Sequence, residues 1–558
     1  MHSVLRALAL ALLALVLAPA AAQAQGADAN AFSASEAYIP TSDPTIRLHA
    51  DVMRPANLPA DAKTPVILSI GPYFGHSQQA ATDFDPMRSG PQTRFDDLID
   101  EGRIFEKGYT LVYVDLPGFG GSSGCNDFGG PNERLAAKTA IEWAADQPWS
   151  TGKVGMWGKS YDGWTQVMAM AEKPRGLAAT VIQSPIIDGY RTLYQNGVHY
   201  SLGWYITPAL YQSIDALPPT VNEEPEYYLN WALGENPACY AANIGQPNVF
   251  VDKNDPAGYW AARDIVDEAV ANSAGVAVLW SHGFLDANTK PDNFLDVFKD
   301  LKGPRRGFFG QFDHVRGNED KLVGRTPGVF MAQAMRWFDE YLKGNAGAAG
   351  GDNPVEVADT NGRWRAESQW PPADAVTKVM PLKDGTYVDD DNNAAQGSAS
   401  GVGQWTFTQP MAATTRIAGV PKLTVTVTTD APRAQLTALL YNVDPVAQKA
   451  TLITRGAFAV KGSGPVSFEI YPQDASIKAG NRLGLLIAGD DTTWYLGPHS
   501  TRTVAVSAGR LELPVLANPR TAFLSASVKT PAMGTLMPIN VSKATIDANT
   551  VTAPDFGG

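Results

Sequence analysis

Short, continuous apolar runs recur through the first half of the chain. Pro65-Val66-Ile67-Leu68-Ser69-Ile70, Thr110-Leu111-Val112-Tyr113-Val114-Asp115, Lys153-Val154-Gly155-Met156-Trp157 and residues 178–183 lack polar alternation. They predict strands covered on both faces. Residues 37–54 predict two more short strands around a turn. Between the runs the period changes: Leu135, Ala136, Thr139, Ile141 and Trp143 mark the inner stripe of a helix capped by Asn132 and ending near Asp146. A second helix follows Gly158-Lys159-Ser160. Strands alternating with helices predict βαβ units and a mostly parallel sheet.

The rhythm lapses over residues 187–267, a Tyr-, Trp-, Pro- and Asn-rich stretch that reads as a mainly helical cap over the sheet. It resumes at Val276-Ala277-Val278-Leu279-Trp280 and 306–310 and closes with a helix over 329–342. The expected catalytic domain is therefore 25–186 plus 268–344, interrupted by the cap. Small residues over 343–354 mark a linker. Beyond it helix patterns almost vanish. Alternating stretches such as Leu423-Thr424-Val425-Thr426-Val427 predict an all-β sandwich over 355–558.

The N-terminus carries a different pattern. One arginine precedes an apolar run from Ala7 to Ala18, about a dozen residues and too short for a ~30 Å hydrocarbon core. Ala22-Gln23-Ala24 follows as a small-x-small site. Residues 1–24 are thus expected to be a cleaved export signal, making the protein periplasmic or secreted without a membrane anchor. Export would place Cys125 and Cys239, the only two cysteines, in an oxidising compartment where they can pair; two inert thiols are the alternative. The formal charge of −13 disfavours nucleic acid as a partner.

Ser160 lies between a predicted buried strand and a helix, where a sharp turn projects a hydroxyl above the sheet edge. A serine needs an adjacent base. Of the seven histidines, only His199, His282, His314 and His499 follow Ser160, the order such a fold requires. His199 falls in the cap and His499 in the β domain. His314 and His282 both follow predicted strands. If Asp286 is the orienting acid, the base must come later, which selects His314. Asp292 is a weaker candidate acid, and His282 then becomes a structural residue. The Tyr161 amide, directly after the serine, and the Tyr73 hydroxyl are the candidate oxyanion donors.

These residues resemble the X-Pro dipeptidyl-peptidase and cocaine-esterase family of serine hydrolases. The similarity lies in Val154-Gly155-Met156-Trp157-Gly158-Lys159-Ser160-Tyr161-Asp162-Gly163, Gly71-Pro72-Tyr73, residues 282–288, the loop ending at His314, and residues 336–344. The resemblance implies an α/β-hydrolase domain with a helical cap insertion, followed by a jelly-roll sandwich. It implies Ser160, Asp286 and His314 as nucleophile, acid and base, with Tyr73 at the oxyanion. It also implies a substrate-binding role for Asn288. Gln311-Phe312-Asp313 departs from the family's usual pattern before the base. No metal or organic cofactor is expected. The substrate is expected to be a small peptide, releasing Xaa-Pro, or alternatively an ester, as for a carboxylesterase of the cocaine-esterase type or an α-amino-ester hydrolase. Asp215, Glu223, Glu224 and Glu226 of the cap could bind a peptide's N-terminal ammonium or be solvated surface. A binding protein with an inactive hydrolase domain is a further alternative.

Overall fold

The structure is a computed structural model. It describes residues 28–76, 94–200, 210–211, 213–219, 223–234, 239, 252–391, 402–491, 494–527, 538–552 and 556. The expected export signal and part of the cap lie outside the described residues.

The apolar runs become the interior strands of one sheet. Its strands are β1 (Phe32–Pro40), β2 (Arg47–Pro55), β3 (Thr64–Gly71), β4 (Thr110–Asp115), β5 (Ser150–Lys159) and β6 (Leu177–Gln183). A short hairpin, β7 (Tyr194–Gln195) and β8 (Val198–Tyr200), stands apart before β9 (Ala277–Gly283), β10 (Arg305–Gly310), β11 (Val355–Ala358) and β12 (Trp364–Glu367). The ten-stranded order is β1-β2-β4-β3-β5-β6-β9-β10-β11-β12. From β4 through β11 each pairing is parallel, and the edges are antiparallel.

Parallel strands need helices on both faces, and the apolar surface divides accordingly. One layer is α1 (Pro131–Asp146) and α2 (Tyr161–Glu172), burying Ala136, Ala140, Ile141, Trp164 and Met168. The other is α3 (Val329–Tyr341), burying Phe330, Ala334, Trp337 and Phe338. Asn132 does not cap α1, which begins one residue earlier at Pro131 after Gly130. Asp127 serves instead, its carboxylate accepting the Asn132 amide at 2.7 Å.

One expectation about domain limits needs correction. The boundary at 355 falls inside the catalytic sheet, because β11 pairs in parallel with β10 and β12 turns back on β11. Residues 343–354 thus connect elements of one domain, since Val355 and Val357 join the same apolar core. Much of the stretch 187–267 lies outside the described residues. Its described residues include helices Gly189–Leu193 and Pro225–Gly234, and β7 and β8 form a hairpin that pairs with Tyr495–Leu496 of the C-terminal domain.

That C-terminal domain is an antiparallel sandwich. Lys422–Thr428, Thr503–Leu516, Thr415–Gly419 and their neighbours build a seven-stranded sheet. Ala434–Asp444, Lys449–Val460 and Arg482–Ala488 anchor a five-stranded sheet. Alternate residues such as Leu423, Val425 and Val427 fill the space between them, as their period of two dictates. Among the described residues no helix is long and apolar enough to cross a membrane.

Cys125 and Cys239 are joined by a disulfide across 114 residues, with Cα atoms 5.5 Å apart. It ties the loop after β4 to the cap. Closing a loop of that length stabilises a fold by about 4–5 kcal/mol if the unfolded chain carries the whole effect. Reduction is therefore expected to lower the melting temperature and add two protons of mass. An unchanged melt after verified reduction would show that the bond does not constrain the unfolded chain.

Candidate active site

Ser160 occupies the junction of β5 and α2 with φ 66° and ψ −121°. Few non-glycine residues adopt this region, and the surrounding contacts hold it there. Its N–H donates to the carbonyls of Gln183 and Ser184 at 3.0 and 3.2 Å. Close packing leaves no room for Cβ atoms at the flanking glycines. At Gly158 a Cβ would lie 2.5 Å from Asp162 Cβ, and at Gly163 it would lie 2.8 Å from Pro185 Cβ. Position 163, rather than 162, is therefore where the turn needs glycine.

Asp162 fills a different space. A Cβ on Gly71 would sit 1.7 Å from its Oδ1, so the carboxylate occupies the volume that glycine vacates on the oxyanion loop. Its Oδ2 accepts from Arg94 Nε at 2.6 Å, with both side chains almost fully buried. Burial raises the Asp162 carboxyl to about 6, against the lowering effect of Arg94. The Arg94 guanidinium in turn lies 3.7 Å from the centroid of the Tyr73 ring. The resulting stack of Asp162, Arg94 and Tyr73 supports the phenol from below.

The Tyr73 hydroxyl lies 3.3 Å from the Tyr211 hydroxyl, with the Ser160 side chain also near it. Burial raises the Tyr73 pKa, while the stacked guanidinium and the Ser160 side chain pull the other way. Tyr161 opens α2, so its amide is among the first-turn N–H groups that lack an intrahelical acceptor. Its side chain points away, donating to Glu133 Oε2 at 2.7 Å.

His314 Nδ1 lies 2.9 Å from Asp286 Oδ2. Asp286 is fully buried after β9, and its carboxylate is crowded with donors. Oδ1 accepts the Asn288 and Thr289 amides at 2.8 and 2.9 Å, and Oδ2 accepts the Thr289 hydroxyl at 3.0 Å. Burial alone would raise this carboxyl, but His314 and the amide donors hold it well below the usual range. An ionised Asp286 can only accept, so the His314 Nδ1 must carry the proton.

The alternatives separate cleanly. His282 is fully buried, stacks on Phe294, and has Nε2 3.0 Å from the Lys290 carbonyl. Burial lowers it to about 4, as suits a neutral structural ring. Asp292 pairs with Arg191 at 2.5 Å rather than with a histidine. Asp313 accepts the Ala287 and His314 amides, each at 2.8 Å, and so braces the acid and base loops together. Asn288 is exposed beside the acid. Of the cap acids, Glu223 lies against His76, Glu224 accepts from the Tyr38 hydroxyl, and Glu226 pairs with Arg47.

Arg94, Asp162 and Tyr211 went unnoticed as site residues in the sequence. Asp162 carried a signal, standing where a glycine is common; Arg94 and Tyr211 carried none. The divergent base loop is also explained, since Gln311 Nε2 reaches the C-terminal domain and donates to Gln473 Oε1 at 2.7 Å. The sandwich likewise pins the cap hairpin, where Gln195 Oε1 accepts the Ala457 amide at 3.0 Å. Tyr200 of that hairpin donates to the Ala287 carbonyl in the acid loop.

A mixed sheet with this strand order, a cap and a serine at the β5–α2 turn define a serine hydrolase of the α/β-hydrolase fold. The chain belongs to the X-Pro dipeptidyl-peptidase and cocaine-esterase family. Residues 43–316 match the family model of X-Pro dipeptidyl-peptidases (S15 family), and residues 348–532 match that of their C-terminal non-catalytic domain. A provisionally named Xaa-Pro dipeptidyl-peptidase of Rhodopirellula baltica is 25% identical over 553 residues, covering 84% of this chain and 85% of that protein. Cocaine esterase of a Rhodococcus species is 26% identical, covering 62% of this chain and 61% of the esterase. A solved α-amino acid ester hydrolase shares the fold with a TM-score of 0.67 at 18% identity, covering 89% of this chain and all of that one.

Proposed function

We propose that Ser160, His314 and Asp286 act as nucleophile, base and orienting acid, and that the enzyme releases Xaa-Pro dipeptides from peptide N-termini. The observation that carries the mechanism is a strained serine at the β5–α2 turn beside Tyr73, with a single buried carboxylate holding His314 by Nδ1. His314 takes the Ser160 proton through Nε2 as the hydroxyl attacks the carbonyl carbon. The carbonyl oxygen becomes an oxyanion, received by the Tyr73 hydroxyl and the Tyr161 amide. The proton then passes from His314 to the leaving amine, and the acyl-enzyme forms. Water repeats the sequence and frees Ser160.

Tyr73→Phe removes one oxyanion donor and leaves the ring on Arg94. It is expected to lower kcat by about 10²–10³ with little change in KM. An equal rise in KM with unchanged kcat would move Tyr73 from oxyanion to substrate binding.

The peptide reading is supported by the two matching family models and by relatives named Xaa-Pro dipeptidyl-peptidase. Tyr73 and Tyr211 add an aromatic wall beside the serine that suits a proline ring. In this reading Asn288, exposed beside Asp286, binds the substrate. Glu223, Glu224 and Glu226 have partners already, which argues against their binding the ammonium. The ester reading is favoured by the cocaine-esterase relative. Turnover of Ala-Pro-p-nitroanilide against a short-chain p-nitrophenyl ester tests the choice. Higher kcat/KM on the ester, with none on the anilide, would overturn the peptidase reading.

We also infer that the protein is exported, from the N-terminal charge and apolar pattern. The Cys125–Cys239 bond fits an oxidising compartment. Sequencing the N-terminus of the mature protein tests this, with Gln25 the expected first residue.

A further inference from the structure

A buried cluster of titratable side chains near the Tyr73 loop takes no part in the mechanism. His49 and Asp51 stand two residues apart on β2 and so share a face. His76 lies three residues beyond Tyr73 on the stretch that follows β3. All three are at most 5% exposed. One ring nitrogen of each histidine and a carboxylate oxygen of Asp51 lie within 4.8 Å of one another.

Each imidazole is backed by its own carboxylate. His49 Nδ1 lies 3.0 Å from Asp115 Oδ2, and His76 Nδ1 lies 2.6 Å from Glu223 Oε1. Metal-bound histidines are oriented in this way, the second nitrogen fixed by a carboxylate. The other nitrogens behave differently. His76 Nε2 is 3.2 Å from both oxygens of Asp51. That exceeds the about 2.7–2.9 Å of a charge-assisted N–H···O bond. It approaches the about 3.3 Å that separates two ligands of a tetrahedral ion with ~2.0 Å bonds. His49 Nε2 is buried without a hydrogen-bond partner, and Glu36 Oε2 stands 3.5 Å from it. Glu36 is 41% exposed at its side chain, so this corner opens to solvent.

We infer that His49, Asp51 and His76, with Glu36 at the open corner, bind one divalent transition-metal ion of the zinc class. Two imidazoles with carboxylates select such an ion over calcium or magnesium, which prefer oxygen ligands alone. The ion is structural and no step of the acyl transfer passes through it. It joins β2 to the Tyr73 loop and, through Glu223, to the cap.

The test uses the full-length, tag-free protein stripped with dipicolinate, so that its outcome is independent of the substrate reading. Zn²⁺ is added, the protein is gel-filtered, and bound metal is measured. One equivalent per chain and a raised melting temperature are expected, and Co²⁺ should give the visible absorption of a tetrahedral site. Asp115→Asn removes no ligand and should weaken Zn²⁺ binding about 10–100-fold. His49→Gln should abolish stoichiometric binding while keeping the wild-type circular dichroism. A wild-type chain that retains no Zn²⁺ and shows no Co²⁺ band overturns the inference, leaving two protonated imidazole–carboxylate pairs. Undiminished binding in a folded His49→Gln overturns it as well.

Discussion

Replacing Ser160 by alanine is expected to lower kcat by about six decades, to the level that oxyanion and binding contacts supply alone. The size of the effect follows from cooperation. Once the nucleophile is gone, the His314–Asp286 pair has no proton to take, so its contribution disappears with the hydroxyl. KM should change little, because Ser160 is a small part of the contact surface. Alanine must still accept φ 66° at the β5–α2 turn, so the melting temperature is compared alongside activity. A loss under tenfold in a folded variant would exclude Ser160 as nucleophile. Failure of the wild type to react with a fluorophosphonate probe would exclude it independently and revive the reading of an inactive hydrolase domain.

Asp286→Asn is expected to cost about four decades in kcat. Asp286 Oδ1 accepts two backbone amides, and an asparagine there must place its carbonyl oxygen on them. Its NH₂ then takes the Oδ2 position against His314 Nδ1. A donor facing that nitrogen forces the ring proton onto Nε2, and the base loses its lone pair toward Ser160. His314 depresses the native Asp286 carboxyl, so the pair stabilises the fold above about pH 4, the ordinary carboxylate value. That contribution fades as pH falls through the depressed value. The asparagine variant should therefore lose less stability than wild type on acidification below about pH 4. Melting curves across that range check the sign. A kcat within tenfold of wild type would remove Asp286 from the mechanism.

Neither variant touches what the C-terminal domain does. The sandwich reaches both loops, through Gln311 to the base and through the β7–β8 hairpin to the acid. Its non-catalytic character thus coexists with a direct hold on catalytic geometry.

Local sequence alone determined the strands of the parallel sheet, because burial on both faces demands unbroken apolar runs such as Val66–Ile70. It also pointed to the serine turn, where Gly158 and Gly163 bracket Ser160 between a buried strand and a helix. The chain pattern did not show that 355–367 complete the sheet, because strands of four residues leave almost no periodic trace. Nor did it show Arg94 beneath Tyr73, or Asp313 bracing two loops. Those contacts join residues far apart in the chain, and no local preference encodes them. Folding decides them, when burial brings each charge against partners distant in the chain.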